Sequence, residues 1–471
     1  MSHFPGVDCN YQQAQDPMSD SEFQEKVAVV GAGLVGCLTA IALAHRGYDV
    51  TVLEYRQDPR LTSTTDRNLR SINLAISARG IDSLKFVDPE LCQRLLHDVV
   101  PMKGRMIHDL QGNQKELLYG INGEHINSLS RATLNNDMLD ELDTFENITV
   151  CFEYKLTSID WSDTKQVCYF NNDHPSKSFD FIVGADGCFS TTREQMKRGV
   201  RMDYKQEYID CCYIELYLPP GKDGQFQLSK HSLHIWPRGK FMLISLPNCD
   251  GSFTVTFFAP WKQVDDLMKS TTKIKKFLLE NFADAMNIMG IDNTVDEFIN
   301  NPKGPLMCVE CNPYNMLNGS GILLGDAAHS MVPFYGQGMN CGFEDVRVLM
   351  ELLDKHNGDR VVAFNSYTET RFKDLVTINQ LARENYKVMS EKVTSKWFNL
   401  YKRIDETFST LLGNSWLTMY TMVSFRSNIS YSEAVRRDRR QHTIIKWLSI
   451  SGLTTTALTA FLYAMNHRVT K

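Results

Sequence analysis

Three short stretches place glycine beside an acid at the end of an apolar run. The first is Gly31-Ala-Gly33-Leu-Val35-Gly36, with Glu54 eighteen residues beyond its last glycine. The second is Gly184-Ala-Asp186-Gly187, and the third is GDAAHSMVPFYGQGMN, from Gly325 to Asn340. None contains a lysine or arginine. Side chains this small let backbone N–H groups approach a flat or phosphorylated ligand closely. The sequence holds no HExxH metal-binding helix and no GxSxG nucleophile turn. Cys308 and Cys311 form a CxxC without a second half, which reads as chance rather than a zinc site. No metal is expected.

The elements that must position these turns follow the same grammar. A buried strand at 27–30 runs into Gly31, an apolar helix reaches His45, and a strand at 50–53 ends at Glu54. In that context GxGxxG reads as a dinucleotide site. Gly31 makes the tight turn, Gly33 admits a pyrophosphate, and Gly36 lets helix and strand pack. Val35 and the strand end Leu53-Glu54-Tyr55-Arg56 lie beside them, with Glu54 placed for an adenosine ribose. That acid favours FAD or NAD over NADP as the bound dinucleotide. A second motif of this kind is absent, so one dinucleotide site is expected and a two-domain disulfide reductase is not. Asp186 and Asp326 each follow an apolar strand and precede a helix start, so three strand ends point to one elongated ligand. Residues 211–260 read as strands separated by Pro, Gly and Asn turns, and 262–300 as mostly helical.

The chain has 471 residues, 43% of them hydrophobic and 23% charged, enough for a sizeable core. A net charge of −6 gives no reason to expect a nucleic-acid partner. Residues 1–25 are polar and lack the features of a signal peptide, so they read as a disordered leader and the twelve cysteines as free thiols. Residues 447–465 carry no charge and are flanked by basic residues. As a helix they would span ~28 Å, close to the ~30 Å of a bilayer core. A membrane-anchoring tail is the expectation, and a packed last helix the alternative.

GxGxxG with its distal acid, GADG with Arg193 downstream, and GDAAH…P…GQGMN, in this order, resemble the signature of the single-component flavoprotein aromatic hydroxylases. The likeness continues through RSINLA (70–75), PMKGRMIH (101–108), LSRATLN (129–135), LHIWPR (233–238), RENYKVM (383–389) and MYTMVSF (419–425), over nearly the whole chain. These longer stretches resemble the members that hydroxylate L-kynurenine at its ring 3-position, which implies FAD, NADPH and O2. The resemblance implies an α/β fold: a Rossmann-like FAD-binding domain interleaved with an antiparallel or mixed substrate sheet, plus C-terminal helices and a tail helix. The expected boundaries are 1–25 leader; 26–370 FAD domain with the sheet at about 77–130 and 200–305; 371–440 closing helices; and 441–471 anchor, in the mitochondrial outer membrane with the catalytic body facing the cytosol.

The same resemblance assigns Asp326 to the ribitol side of the cofactor and Met339 and Asn340 to its ring through backbone groups. It gives Ala75, Arg131, Leu156 and Thr191 the remaining cofactor contacts, and Asp186 a place serving both FAD and NADPH. Substrate contacts fall on Arg105, Tyr119, Asn385 and Tyr420, with an arginine fork and phenols suited to a carboxylate. Gln337 is expected to polarise the ring amine or the activated oxygen, and Pro333 to preorganise the loop. A different flavin hydroxylase, acting on a phenol or a quinone precursor, would keep the three turns without using the carboxylate fork. A flavin-bound membrane scaffold without turnover is a further alternative, separated by substrate-stimulated NADPH oxidation.

Overall fold

A computed structural model describes residues 25–61, 73–120, 122–162, 164–391 and 395–447. The expected leader, and the expected tail beyond Trp447, lie outside these residues. Among the described residues no helix is long and apolar enough to cross a membrane.

The strand Lys26–Val30 sits at the centre of a five-stranded parallel sheet. Its order is Gly321–Leu323, Phe181–Gly184, Lys26–Val30, Asp49–Leu53, Ile148–Cys151. Strands such as VAVV and FIVG are apolar throughout because both faces of the sheet are covered. Alternation divides their side chains. Val27 and Val29 enter the main core with helix Leu34–Ala44. Ala28 and Val30 enter a second core under the small sheet of Leu156–Asp160, Gln166–Phe170 and Lys177–Phe179.

The glycine turn is set by steric limits. Gly31 has φ +102°, and a Cβ there would lie 2.5 Å from the Ala185 carbonyl oxygen. A Cβ at Gly36 would lie 1.9 Å from the Gly31 carbonyl oxygen. The first two strand ends are therefore pressed together by backbone, as the dinucleotide reading of the sequence expects.

The second sheet has seven strands, in the order Lys303–Asn312, Asp203–Leu218, Phe253–Ala259, Phe241–Pro247, Ser232–Arg238, Gly104–His108, Gln114–Leu118. One neighbouring pair, Ser232–Arg238 with Gly104–His108, is parallel and the others are antiparallel. One face packs Trp236, Leu243, Phe257 and Ile214 against the helices Trp261–Leu267, Thr271–Met289 and Ile291–Asn300. The other turns Leu233, Ile244, Leu246 and Phe258 toward the nucleotide fold. The mixed sheet expected from the sequence is present, and it extends to Asn312.

Two expected boundaries are redrawn. Residues 78–95 form the helices Ala78–Val87 and Pro89–Leu95 rather than sheet, and the first of these packs against helix Gly338–Lys355. The division at 370/371 falls inside the helix Arg360–Ser390. That stretch holds no glycine or proline to end a helix. Helices Lys396–Leu412, Met419–Phe425 and 431–447 follow.

A buried polar chain crosses the helix-covered face of the second sheet. Asp284 accepts from Trp236 Nε1 at 2.8 Å and meets His108 Nδ1 at 2.9 Å. His108 Nε2 lies 2.9 Å from His234 Nδ1, and His234 Nε2 lies 2.9 Å from the Ser229 carbonyl oxygen. Burial pushes His234 down to about 4. Between that value and about 6.5 an unfolded chain binds a proton that the folded chain does not, so stability is lost as pH falls through this window, by up to ~1.4 kcal/mol per pH unit. Denaturant melts at pH 7 and pH 5 should show this loss in the natural protein and a smaller one in His234→Asn. Equal losses in both would remove His234 as the source.

Candidate active site

Between the two sheets lies one cavity of about 710 Å³, within the ~300–1,000 Å³ typical of cofactor and ligand sites. Its residues divide into a polar cradle and an apolar lobe.

The cradle is built by the three turns. Gly31, Gly33, Val35, Leu53, Glu54, Tyr55 and Arg56 line it from the first turn, Asp186 and Thr191 from the second, and Asp326 from the third. Ala75, Arg131 and Leu156 complete the wall. A Cβ at Gly33 would meet no protein atom within 4 Å, because only the cavity lies in front of it. Glu54 accepts from the Ala32 N–H at 2.9 Å and from Arg56 Nε at 2.8 Å, so it pins the glycine turn. Burial favours the protonated Glu54 carboxyl, but Arg56 and the two backbone N–H groups outweigh it and hold the group below the usual range. Asp186 is turned into its own loop, accepting from Ser190 Oγ at 2.5 Å and from the Thr192 N–H at 2.9 Å. Burial nevertheless raises its carboxyl.

The third turn reaches the middle of the cavity. Pro333 opens a single 3-10 turn, Pro333–Tyr335, which closes on Gly336 in the left-handed region at φ +67°. Helix Gly338–Lys355 then starts with no side-chain cap, and Gly338 and Met339 line the cavity. Its first N–H groups have no partner within the helix. The Asn340 side chain is buried behind the cavity lining. Its oxygen accepts the Ser77 N–H at 2.8 Å, and its nitrogen donates to the carbonyls of Ala75 (2.9 Å) and Gly336 (2.8 Å). Gly36 lies behind the turn rather than in the cavity wall.

The apolar lobe is walled by Leu233, Ile244, Leu246, Phe258, Met307, Phe334 and Met389. One cation projects into it. The Arg105 guanidinium carbon lies 5.0 Å from the Tyr420 ring centroid and 5.6 Å from that of Tyr119. Tyr119 and Tyr420 stack at 4.9 Å, and Tyr335 stacks on Tyr420 at 5.8 Å. Burial pushes the Tyr119 and Tyr335 hydroxyls well up, so both phenols stay neutral. Arg105 Nε is buried without a hydrogen-bond partner among the described residues. The acids of the cavity wall, Glu54, Asp186 and Asp326, all belong to the cradle.

Two expected contacts are placed elsewhere. Asn385 is buried behind the third turn, where its amide donates to the Phe334 carbonyl at 2.6 Å, so it shapes the loop rather than the lumen. Gln337 precedes the helix with its side chain directed to the C-terminal segment: Oε1 accepts from Tyr431 at 3.2 Å and Nε2 faces Ser424 Oγ at 3.5 Å. Its side chain is outside the cavity wall, so a direct role on a ring amine or on oxygen is not supported by this geometry. The sequence reading missed Tyr335 and the strand residues Ile244, Leu246 and Phe258. Period-two spacing was the available signal for the strand residues.

His329, Cys341 and Asp345 bring one donor atom each within 4.8 Å of one another. Arg371 already donates to Asp345 at 2.7 Å and to Cys341 Sγ at 3.6 Å. A guanidinium inside the group disfavours a metal cation, and the cluster is an ion-pair network.

The FAD-binding domain family matches residues 24–372. A kynurenine 3-monooxygenase of Saccharomyces cerevisiae is 55% identical, covering 90% of this chain and 94% of that protein. One of Candida albicans is 49% identical, covering 94% and 97%. Among solved structures, the tetrameric form of 2-methyl-3-hydroxypyridine-5-carboxylic acid oxygenase superposes with a TM-score of 0.64 at 16% identity, covering 88% of this chain and 98% of that one. The probable FAD-dependent monooxygenase pqsL of Pseudomonas aeruginosa gives 0.62 at 16% identity, covering 78% and 97%. At that identity the two structures speak for the fold alone. On its matched domain and its similarity to these relatives, the chain belongs to the kynurenine 3-monooxygenase family of FAD-binding flavoproteins.

Proposed function

We propose that this protein hydroxylates L-kynurenine to 3-hydroxy-L-kynurenine, consuming NADPH and O2 with FAD as its bound cofactor. The observation that carries the substrate is Arg105. It is a guanidinium with no carboxylate partner among the described residues, set beside the Tyr119 and Tyr420 rings in the apolar lobe. An aromatic amino acid offers the matching parts: a carboxylate for the fork and a ring for the walls.

The cradle fits FAD. The open space before Gly33 suits a pyrophosphate at the N-terminus of helix Leu34–Ala44. Glu54 keeps acceptor capacity for a ribose, and Asp326 suits a ribitol. The uncapped N-terminus at Gly338–Asn340 offers backbone donors to the cofactor ring. Bound FAD supplies the activation of O2 at the expense of NADPH. The protein's own residues do the rest. Arg105, supported by Tyr119 and Tyr420, fixes the amino-acid end. Leu233, Ile244, Leu246 and Phe258 hold the ring and keep water away from it. Pro333 and Asn385 fix the 3-10 turn between the two lobes.

The uncharged run 447–465 supports a further reading: a tail that anchors the protein in the mitochondrial outer membrane with the catalytic body in the cytosol. Deleting residues 448–471 should move the protein from the membrane fraction to the supernatant. Full-length protein that stays in the supernatant without detergent removes the anchor.

Two substitutions test the two lobes. Gly33→Phe should fill the space before the turn and give protein without yellow colour; a full complement of flavin would sink the cradle assignment. Arg105→Ala removes the carboxylate partner. Losing one member of a desolvated charge pair costs ~2–5 kcal/mol, so KM for L-kynurenine should rise by roughly thirtyfold or more with flavin content unchanged. The check is NADPH consumption against substrate concentration, with 3-hydroxykynurenine quantified. Unchanged KM in Arg105→Ala would favour another aromatic substrate.

A further inference from the structure

Helix Ala78–Val87 carries a charged side chain into complete burial. Arg79 has no exposed surface. Its Nε donates to the Val423 carbonyl at 3.0 Å, and Nη2 donates to the carbonyls of Ile429 (2.7 Å) and Arg426 (3.1 Å). Nη1 donates to Glu344, and the guanidinium lies 4.2 Å from the Tyr431 ring centroid. These contacts belong to no part of the cavity wall, and the chemistry above does not use them.

Two of the three carbonyls, those of Val423 and Ile429, depend on that donor; the Arg426 carbonyl also accepts the Ile429 N–H at 3.1 Å. Helix Met419–Phe425 is only seven residues long, and the carbonyls of its last turn have no intrahelical partner. Buried without a donor, the Val423 and Ile429 carbonyls would each carry a desolvation cost. The consequence is positional. Val423 and Tyr420 lie three residues apart, on adjoining turns of one helix face. Holding the Val423 carbonyl fixes the height and rotation of the helix, and thereby the Tyr420 ring above Arg105. On the same segment, Ser427 Oγ donates to Asp82 at 2.6 Å, and Tyr431 reaches Gln337 beside the third turn.

We infer that Arg79 is a positioning residue for the amino-acid end of the substrate pocket: its guanidinium seats helix Met419–Phe425 so that Tyr420 closes over Arg105. The inference rests on Arg105 being the carboxylate site. A lysine has no planar fork and cannot serve three divergent carbonyls and a carboxylate together. Glu344 keeps Arg371 at 2.9 Å and Arg347 at 3.4 Å, so Arg79→Met orphans carbonyls rather than leaving a bare buried carboxylate.

The test is a double-mutant cycle on full-length holoenzyme, with Arg79→Met, Tyr420→Ala and the pair. L-Kynurenine affinity is read from the flavin absorbance change on titration, beside flavin content and the ratio of peroxide to 3-hydroxykynurenine. Each single variant should weaken binding about tenfold or more, and the pair should be no weaker than Tyr420→Ala within about twofold, since both act through one ring. Flavin content should hold, while peroxide rises at the expense of product. Additive losses, unchanged affinity in Arg79→Met, or flavin loss in step with affinity would each overturn the inference. If Arg79→Met gives too little folded protein, Arg79→Lys enters the same cycle, with partial recovery expected and wild-type affinity overturning it. Should the natural protein not respond to L-kynurenine, the substrate reading is what fails. The seat is then read by proteolysis of residues 413–431, expected to be faster in Arg79→Met than in Tyr420→Ala, and equal rates overturn it.

Discussion

Two consecutive carboxylates, Glu344 and Asp345, hold the cavity wall together. Asp345 accepts from the Gly325 N–H at 3.2 Å, from His329 at 2.5 Å and from Arg371 at 2.7 Å. Glu344 takes Arg371 at 2.9 Å and Arg79. Neighbouring helix residues point about 100° apart, so one helix grips two sides of the site. One carboxylate fixes the strand end that presents Asp326, and the other reaches the segment that presents Tyr420. Burial works against the charge on Asp345, but His329 and Arg371 overcome it and keep its carboxyl below the usual range. Removing one partner of such a group typically costs ~3–5 kcal/mol. The third turn packs through Val332, Phe334 and Tyr335, and this network, with Asn340, adds to its rigidity.

What the sequence made legible is what local chemistry dictates. Gly31 and Gly36 are constrained by neighbours within a few residues and by one crossing strand, Gly33 by the space before it, and the spacing to Glu54 is that of a βαβ unit. The apolar strands around residues 211–260 announce a sheet by alternation. Gln337 and Asn385 were legible as special positions, but not in their direction. Gln337 depends on Tyr431, 94 positions away, and Asn385 on Phe334, 51 away. Arg79 reads as an ordinary polar residue in ISARGIDSLKF because its acceptor at Val423 is 344 positions distant. Glu344 and Asp345 resemble surface charges in GFEDVRVLM for the same reason. A charged residue declares its burial only when the partners that make burial tolerable are in place, and here the fold alone assembles them.

The two lobes divide electrostatic labour. All three acids of the wall lie in the cradle, and two are already occupied: Glu54 by the Ala32 N–H and Arg56, and Asp186 by its own loop. Gly338 and Met339, in the first turn of an uncapped helix, line the cavity, so the helix start there favours negative charge. At the far end stands Arg105 among phenols. A resident carboxylate there would make the empty protein more comfortable and would compete with any incoming carboxylate. The Tyr119 and Tyr420 rings hold the guanidinium in place without a carboxylate to neutralise it. On the proposed reading this cation, which has no carboxylate partner among the described residues, is matched by an anionic ligand, which converts a local cost in stability into discrimination. A neutral phenol as substrate would leave that cation unpaired in an apolar lobe. On the proposed reading Arg105, more than the cofactor turns common to the wider fold, is what sets the substrate class.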